Sequence, residues 1–304
     1  MKTRKIVLAS ACLVLLVIAI IQTVIGHIDP VKVVQIKEEI DEIRIDRPEG
    51  LLNLKRSGGD WIIDGKYTAN LNEAESIADA FAYVKLLGKV TKTDNEEVLA
   101  KYDLNEENAC KVSVFHNGEE LRSFRVGKAT STNSQVYLMM DNSTEVYMAA
   151  GSIQNECTKS INELRSRSVF QLSKDEMVSG TVTPVDGNAW TITRGGEGNV
   201  WTASGEGVDS SMELDAESTS AWFNGCAFVA ATDWLGDNES IPAEKIFDIE
   251  IKLDSKTVSL ELFQADDEDG TDTDWGRSSE SPYGFKLAKY TVDKYRKNPE
   301  DFSK

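Results

Sequence analysis

Five aspartates in the run DDEDGTDTD, Asp266, Asp267, Asp269, Asp272 and Asp274, form the stretch of this chain whose residue types and spacing best suit ion chemistry. Ca²⁺ takes roughly six to eight oxygen ligands, and closely spaced carboxylates around a glycine can supply several of them. The order is not that of an EF-hand: counting back from Gly270 puts Ala265 at the first ligand position, and no glutamate stands at the last. The run also separates two strand-like segments, where a solvated acidic loop needs no ion. The five residues are candidate metal ligands set against that plainer reading.

Little else in the sequence points to catalysis. The two histidines are His27, just beyond an apolar run, and His116, beside an Asn-Gly turn, where a solvated position is expected. Metal sites and nucleophilic triads use histidine positioned by further polar groups. No Gly-x-Ser-x-Gly elbow, phosphate loop or Cys-x-x-Cys pair occurs, and the glycines of RGGEGNVW (194–201) sit between strand-like segments instead of opening a helix. A carboxylate pair for glycoside hydrolysis would suit so acidic a chain, but no two residues are singled out for it. The expectation is a non-enzymatic protein without a cofactor. Trp234 and Trp275 read as loop residues, each a candidate anchor for a partner or glycan, with packing beneath its loop as the alternative. Cys110 alternates with Val112 and Val114, and Cys226 falls on an apolar helical face, so both read as small buried hydrophobes. With Cys157 they allow three alternative single bridges and no disulfide framework.

The surrounding charge narrows the partners. Lys and Arg number 33 against 51 acids, for a net charge of −18. Such a surface repels phosphate backbones and anionic lipid head groups, which argues against nucleic acid. Residues 176–304 are the more acidic part, with 26 acids against 11 bases. Residues 6–26, IVLASACLVLLVIAIIQTVIG, contain no charge and follow Lys2, Arg4 and Lys5. About 20 helical residues cross a bilayer core, so a transmembrane signal anchor is expected over 6–27, with a basic cytoplasmic flank at 1–5. The positive-inside rule then puts the bulk of the chain in an extracytoplasmic, periplasmic space. Two cleavable readings stand beside it: a signal peptide ending near Val24-Ile25-Gly26, and a lipoprotein site at Ala9-Ser10-Ala11-Cys12.

After a linker at 28–35, patterns recur. LLNLKRSGGDWIID reads as a hairpin about Ser57-Gly58-Gly59-Asp60, and NEAESIADAFAYVKLLG as a helix with Asn72 and Glu75 as capping box, Ile77, Phe81, Val84 and Leu87 on one face, and Gly88 as its stop. Hairpins are expected about Asn117-Gly118 and about DNST (141–144), then a short helix beginning at Asn162 and Glu163, with Leu164 and Phe170 available for packing. The second half repeats the order. AWTITRGGEGNVWTA is a hairpin; LDAESTSAWFNGCAFVAA is a helix capped by Asp215 with Trp222, Cys226 and Val229 on one face. KIFDIEIKLDSKTVSLELF is a strand pair turning at Asp254-Ser255, and YGFKLAKYTVDKYRKNPEDF is a strand and a final helix. Trp61 and Trp201 hold matching places after their turns, and a shared core role is expected for them. The fold class expected is α+β: an N-terminal transmembrane helix, then two tandem, duplicated units with antiparallel sheets, at 36–172 and, diverged, at 173–304.

Trp61 after its turn, KYDLNEENACKVSVF, FRVGKAT, VYLMMDNSTEVYMA and ELRSRSVF together resemble the bacterial family known as domain of unknown function 4340. The likeness covers residues 36–172 well and the rest more faintly, since nothing in the second unit closely matches Tyr102-Asp103-Leu104 or Val126-Gly127. The resemblance implies a membrane-anchored or exported protein associated with an export-type ABC transporter, and it carries over no catalytic residue. The function expected is an extracytoplasmic accessory or scaffold protein of such a transporter or envelope complex, bound to the membrane by its N-terminal helix. The alternative is a module binding a soluble or cell-wall ligand, aided by calcium at the acidic run.

Overall fold

A computed structural model of the chain describes residues 13–20, 31–151, 153–195, 200–209, 211–236, 239–241, 244–265 and 272–304. Residues 13–20 are helical (α1), with Leu13 to Ile18 and Ile20 exposed. Among the described residues no helix is long and apolar enough to cross a membrane; the span expected at 6–27 lies mostly outside them, as does the basic flank. Two compact units follow from the contacts, Met1–Ser166 and Arg167–Lys304.

In the first unit the elements are β1 (Lys32–Gln35), β2 (Glu42–Arg47), β3 (Gly50–Ser57), β4 (Asp60–Ile63), β5 (Tyr67–Thr68), α2 (Leu71–Ala82), β6 (Tyr83–Lys92), α3 (Glu96–Leu99), β7 (Cys110–His116), β8 (Glu119–Ala129), β9 (Gln135–Met140), β10 (Glu145–Ala150), α4 (Ile153–Thr158) and α5 (Ile161–Leu164). The strands form one antiparallel sheet in the order β1-β6-β10-β9-β8-β7-β2-β3-β4-β5. Alternation sets its buried face. Ile63, Leu54, Ile43 and Val114 stand in register across β4, β3, β2 and β7, all fully buried. Against this face lie Ala74, Ile77 and Phe81 of α2, with the Phe81 ring edge-on to Phe124 at 5.7 Å. A helix and a sheet, each with one apolar side, cover one another in this way. The opposite face carries a second, smaller core of Leu99, Leu104, Met139 and Val146.

The second unit comprises β11 (Ser168–Gln171), β12 (Met177–Pro184), β13 (Trp190–Arg194), β14 (Trp201–Gly205), α6 (Ala216–Gly225), β15 (Phe228–Ala230), β16 (Asp233–Trp234), β17 (Glu244–Leu253), β18 (Thr257–Gln264), β19 (Thr273–Ser278), β20 (Ser281–Ala288) and α7 (Lys289–Tyr295). Its main sheet runs β14-β13-β12-β17-β18-β19-β20-β16, and β11 pairs with β15. Set beside the first unit's β4-β3-β2-β7-β8-β9-β10-β6, the order is the same strand for strand. The pair β11-β15 matches β1-β6, so the single β6 of the first unit corresponds to β15 and β16 of the second. Between those two, Ala231 N donates to Arg167 O and Thr232 N to Lys286 O, moving the chain from one neighbour to the other.

The local expectations hold at the turns and need correction at four places. Gly58 and Gly59 (φ +62° and +102°) and Asn117 and Gly118 (φ +50° and +81°) adopt the left-handed backbone that tight hairpins require. The first helix, however, ends at Ala82, and its cap is Asn70, whose Oδ1 accepts from Asn72 N and Glu73 N. Residues 83–88, expected as its last turns, belong to β6, because pairing with β1 and β10 satisfies this backbone on both sides. Val84 and Leu86 then point inward by alternation. Arg122 Nη1 meets the helix-end carbonyls of Phe81 and Ala82 at 3.3 and 3.4 Å, closing α2 there. The expected linker at 28–35 contains β1, whose partner edge is the same β6. The boundary expected after residue 172 falls after Ser166, since β11, with Phe170, pairs within the second unit. Likewise α6 is capped by Asp215 as expected, but Val229 lies on β15.

Candidate functional site

A cleft of about 900 Å³ opens in the second unit where β12 and β18 end and β17 begins, near the residues after α7. Its walls combine Asp186 and Glu244 with Lys245, Arg296 and Lys297 around Phe247. A register shift between Lys245 and Phe247 opens β17 at this point, since a bulge turns the strand locally. Lys245 is held in place: its Nζ lies 2.7 Å from Asp248 Oδ2 and 3.5 Å from Glu261 Oε1. The hydrogen bond to Asp248 raises its ammonium above the usual lysine range, with Glu261 adding to the effect. Arg296 stands 5.8 Å from the Phe247 ring centroid. Mixed charges around an aromatic floor suit charge-paired contact with a polar ligand or peptide.

Gln264 and Ala265 line the same cleft and lead directly into the acidic run. Asp266, Asp267 and Asp269 lie outside the described residues, so only Asp272 and Asp274 have described positions. Asp274 is buried and its Oδ1 accepts from Ala265 N at 3.1 Å, which fastens the start of β19 to the end of β18. Asp272 is exposed, and its carbonyl accepts from Lys289 N. Among the described residues no group of three metal-capable side chains comes together.

Both tryptophans expected in loops are on strands. Trp234, in β16, packs edge-on against Phe285 and Tyr283 with centroids at 6.0 and 6.4 Å and joins the core. Trp275, in β19, pairs with Phe263 on one side and Lys286 on the other, with Lys286 Nζ 4.7 Å from its ring centroid. Since neighbouring positions in a strand alternate and Gly276 faces Phe285, Trp275 is on the sheet face away from the core. The two indoles therefore do not share a surface. Trp61 and Trp201 are both buried, as expected of a core role. His116 is half-exposed with its Nδ1 3.9 Å from Asp41, and His27 lies outside the described residues.

The first unit holds features that sequence reasoning missed. A pocket of about 330 Å³ is lined by Asp103, Asn108, Cys110, Val126 and Gly127; Asp103, Val126 and Gly127 belong to the two segments that nothing in the second unit closely matches. Their joint presence has a steric reason: a Cβ on Gly127 would stand 2.1 Å from Tyr102 O and 3.0 Å from Leu104 Cγ. Gly127 thus admits the backbone of residues 102–104 to the outer face of the sheet. Cys110, expected as a plain buried hydrophobe, is buried and also touches Cys157. Their separation along the chain carries no signal of this contact.

A family model described as domain of unknown function (DUF4340) matches residues 61–250, from Trp61 in β4 of the first unit to Glu250 in β17 of the second. The chain belongs to that family, and the match extends well beyond the residues that carry the clearest sequence likeness. No curated protein and no solved structure matches the chain.

Proposed function

We propose that this member of the family is a membrane-anchored extracytoplasmic accessory or scaffold protein of an export-type ABC transporter or related envelope complex, acting by contact and not by catalysis. The observation that carries the reading is the charge-free run at 6–26 behind Lys2, Arg4 and Lys5, whose described residues 13–20 are helical with exposed apolar side chains. A water-exposed surface of that kind is unfavourable by about 25 cal/mol per Å², so lipid is its natural surrounding. The two units are read as one duplicated module, supported by their common strand order. The transporter as partner rests on the family resemblance. Membranes from cells expressing the full chain should retain it after alkaline washing, and mild-detergent purification should recover transporter or other envelope subunits with it. Release from the washed membrane overturns the anchor; purification without any envelope subunit overturns the scaffold role.

The cleft beside the acidic run favours a second reading, a ligand- or cell-wall-binding module assisted by calcium. In that case millimolar Ca²⁺ raises the unfolding midpoint by mass action, whereas the scaffold reading expects no shift.

A further inference from the structure

Two cysteines of the first unit meet although they come from different elements. Cys110 opens β7, Cys157 lies in the last turn of α4, and both are buried as free thiols. The neighbouring Cys157 thiol holds the Cys110 thiol below the usual range, while Cys110 and burial push Cys157 well above it. Arg47 holds the end of α4: its Nη1 donates to Cys157 O at 3.3 Å and Lys159 O at 2.7 Å. Its own strand, β2, pairs with β7 beside Cys110 through Asp46 and Lys111. Cys110 shares one pocket with Gln154 and Thr158 of α4 and one core cluster with Cys157, so backbones fixed in this way bring the two thiols to the same place.

Access to the two thiols is unequal. Cys110 is 8% exposed and lines the 330 Å³ pocket together with Gln154 and Thr158, which flank Cys157 on α4. Cys157 is fully buried behind it. Cys226, in the second unit, has its thiol pushed up to about 12 by burial, which keeps it protonated and unreactive. The arrangement separates an attacking thiol that faces a pocket from a resolving thiol held in reserve.

We propose that Cys110 and Cys157 are a redox-active dithiol that closes to an intrachain disulfide by exchange with a low-molecular-weight disulfide, tying α4 to the start of β7. The Cys110 thiolate attacks one sulfur of the oxidant, whose S–S bond breaks and releases one thiolate. Cys157 then loses its proton to that thiolate and attacks the Cys110 sulfur, releasing the second half of the oxidant. The protein's two thiols are oxidised, and one disulfide is reduced to two thiols. The bond closes the pocket's α4 wall onto the start of β7, beside the glycine that admits residues 102–104.

The test uses the full chain, reduced and then exposed to oxidised glutathione, quenched in acid, denatured and alkylated. Intact mass and peptide mapping are expected to show loss of labelling at Cys110 and Cys157 alone, with their peptides linked, while Cys226 keeps its label. Reduction should then lower the unfolding midpoint of the first unit by about 5–10 °C. Cys157→Ser should leave a glutathione adduct on Cys110, and Cys226→Ser should leave the bridge intact. Alkylation of both Cys110 and Cys157 after oxidation overturns the proposal, as does a link from either of them to another cysteine. Because the chemistry is read on the unsubstituted chain, a variant that misfolds does not obscure it.

Discussion

The same register row is filled differently in the two units. In the first, Ile63, Leu54, Ile43 and Val114 supply an aliphatic side chain from each strand. In the second, the corresponding residues are Ala203, Ile192, Gly180 and Ile251. Gly180 lies under α6: an added Cβ would already be in contact with the Trp222 ring at 3.4 Å, which leaves no space for a longer side chain. One unit fills the position from the sheet and the other from the helix, where Trp222, Trp190 and Phe302 cluster with centroids 5.5 to 6.1 Å apart. The element that fills the position differs, which is how two sheets with one strand order can carry different sequences.

A second matched pair shows a difference in polar chemistry. Arg56 pairs with Trp61 and Arg194 with Trp201, each guanidinium over its indole at 5.0 and 5.5 Å. Trp61 Nε1 donates to Glu75 Oε1 at 2.9 Å, and Arg56 binds the same carboxylate. For the buried Trp201 Nε1, no acceptor is found among the described residues. The first unit therefore adds a charge-assisted bond at this position, while the second relies on contact with Phe223, whose ring centroid is 4.9 Å away.

The largest test of this comparison alters the row itself. Ile43→Ala should destabilise the first unit by about 3 kcal/mol through the cavity it leaves, and Gly180→Ile should destabilise the second by about 2–3 kcal/mol through overpacking against Trp222. Peptide-resolved hydrogen exchange on the full chain assigns each loss to its unit. Equal tolerance of isoleucine at both positions would contradict the helix-filled reading. A smaller effect separates the tryptophans. Trp61→Phe and Trp201→Phe remove similar volume, but only the former breaks a bond to a carboxylate, so it should cost about 1 kcal/mol more in denaturant unfolding.

The smallest effect is in acid. Glu42, buried on β2, opposes burial of its charge with hydrogen bonds from Lys55 and Arg44, and these hold its carboxyl below the usual 4.5. Ser179 occupies the matching place in the second unit, one residue before Gly180. A depressed carboxyl contributes stability above its unfolded value and loses it as pH falls through the folded one. Exchange protection of the first unit should therefore decline below about pH 4.5 by under about 1 kcal/mol from this residue, and Glu42→Gln should flatten the decline.

Much of this architecture was legible because turn chemistry is local. Asn117-Gly118 and Gly58-Gly59 need no distant partner to favour a left-handed backbone, and the hairpins they close were correctly placed. Asp215 likewise announced α6 by its side chain alone. A helical expectation for 83–88 fails because Val84 and Leu87 satisfy a helical period as well as Val84 and Leu86 satisfy a strand's. Only the free edges of β1 and β10 decide between them. For the candidate sites, the loops expected at Trp234 and Trp275 were likewise strands, assigned by pairing to β20.

The letters alone thus determined the charge-free N-terminal run, the acidic balance, the hairpins and the recurrence of one pattern, because each depends on residues close together in sequence. Tertiary structure decided where the units divide, that β6 is a strand, that Gly127 admits Tyr102, and that Cys110 meets Cys157. Those outcomes depend on backbone edges and side chains brought together from distant segments. Their free energies are set by which surfaces meet, and neighbouring letters do not record that.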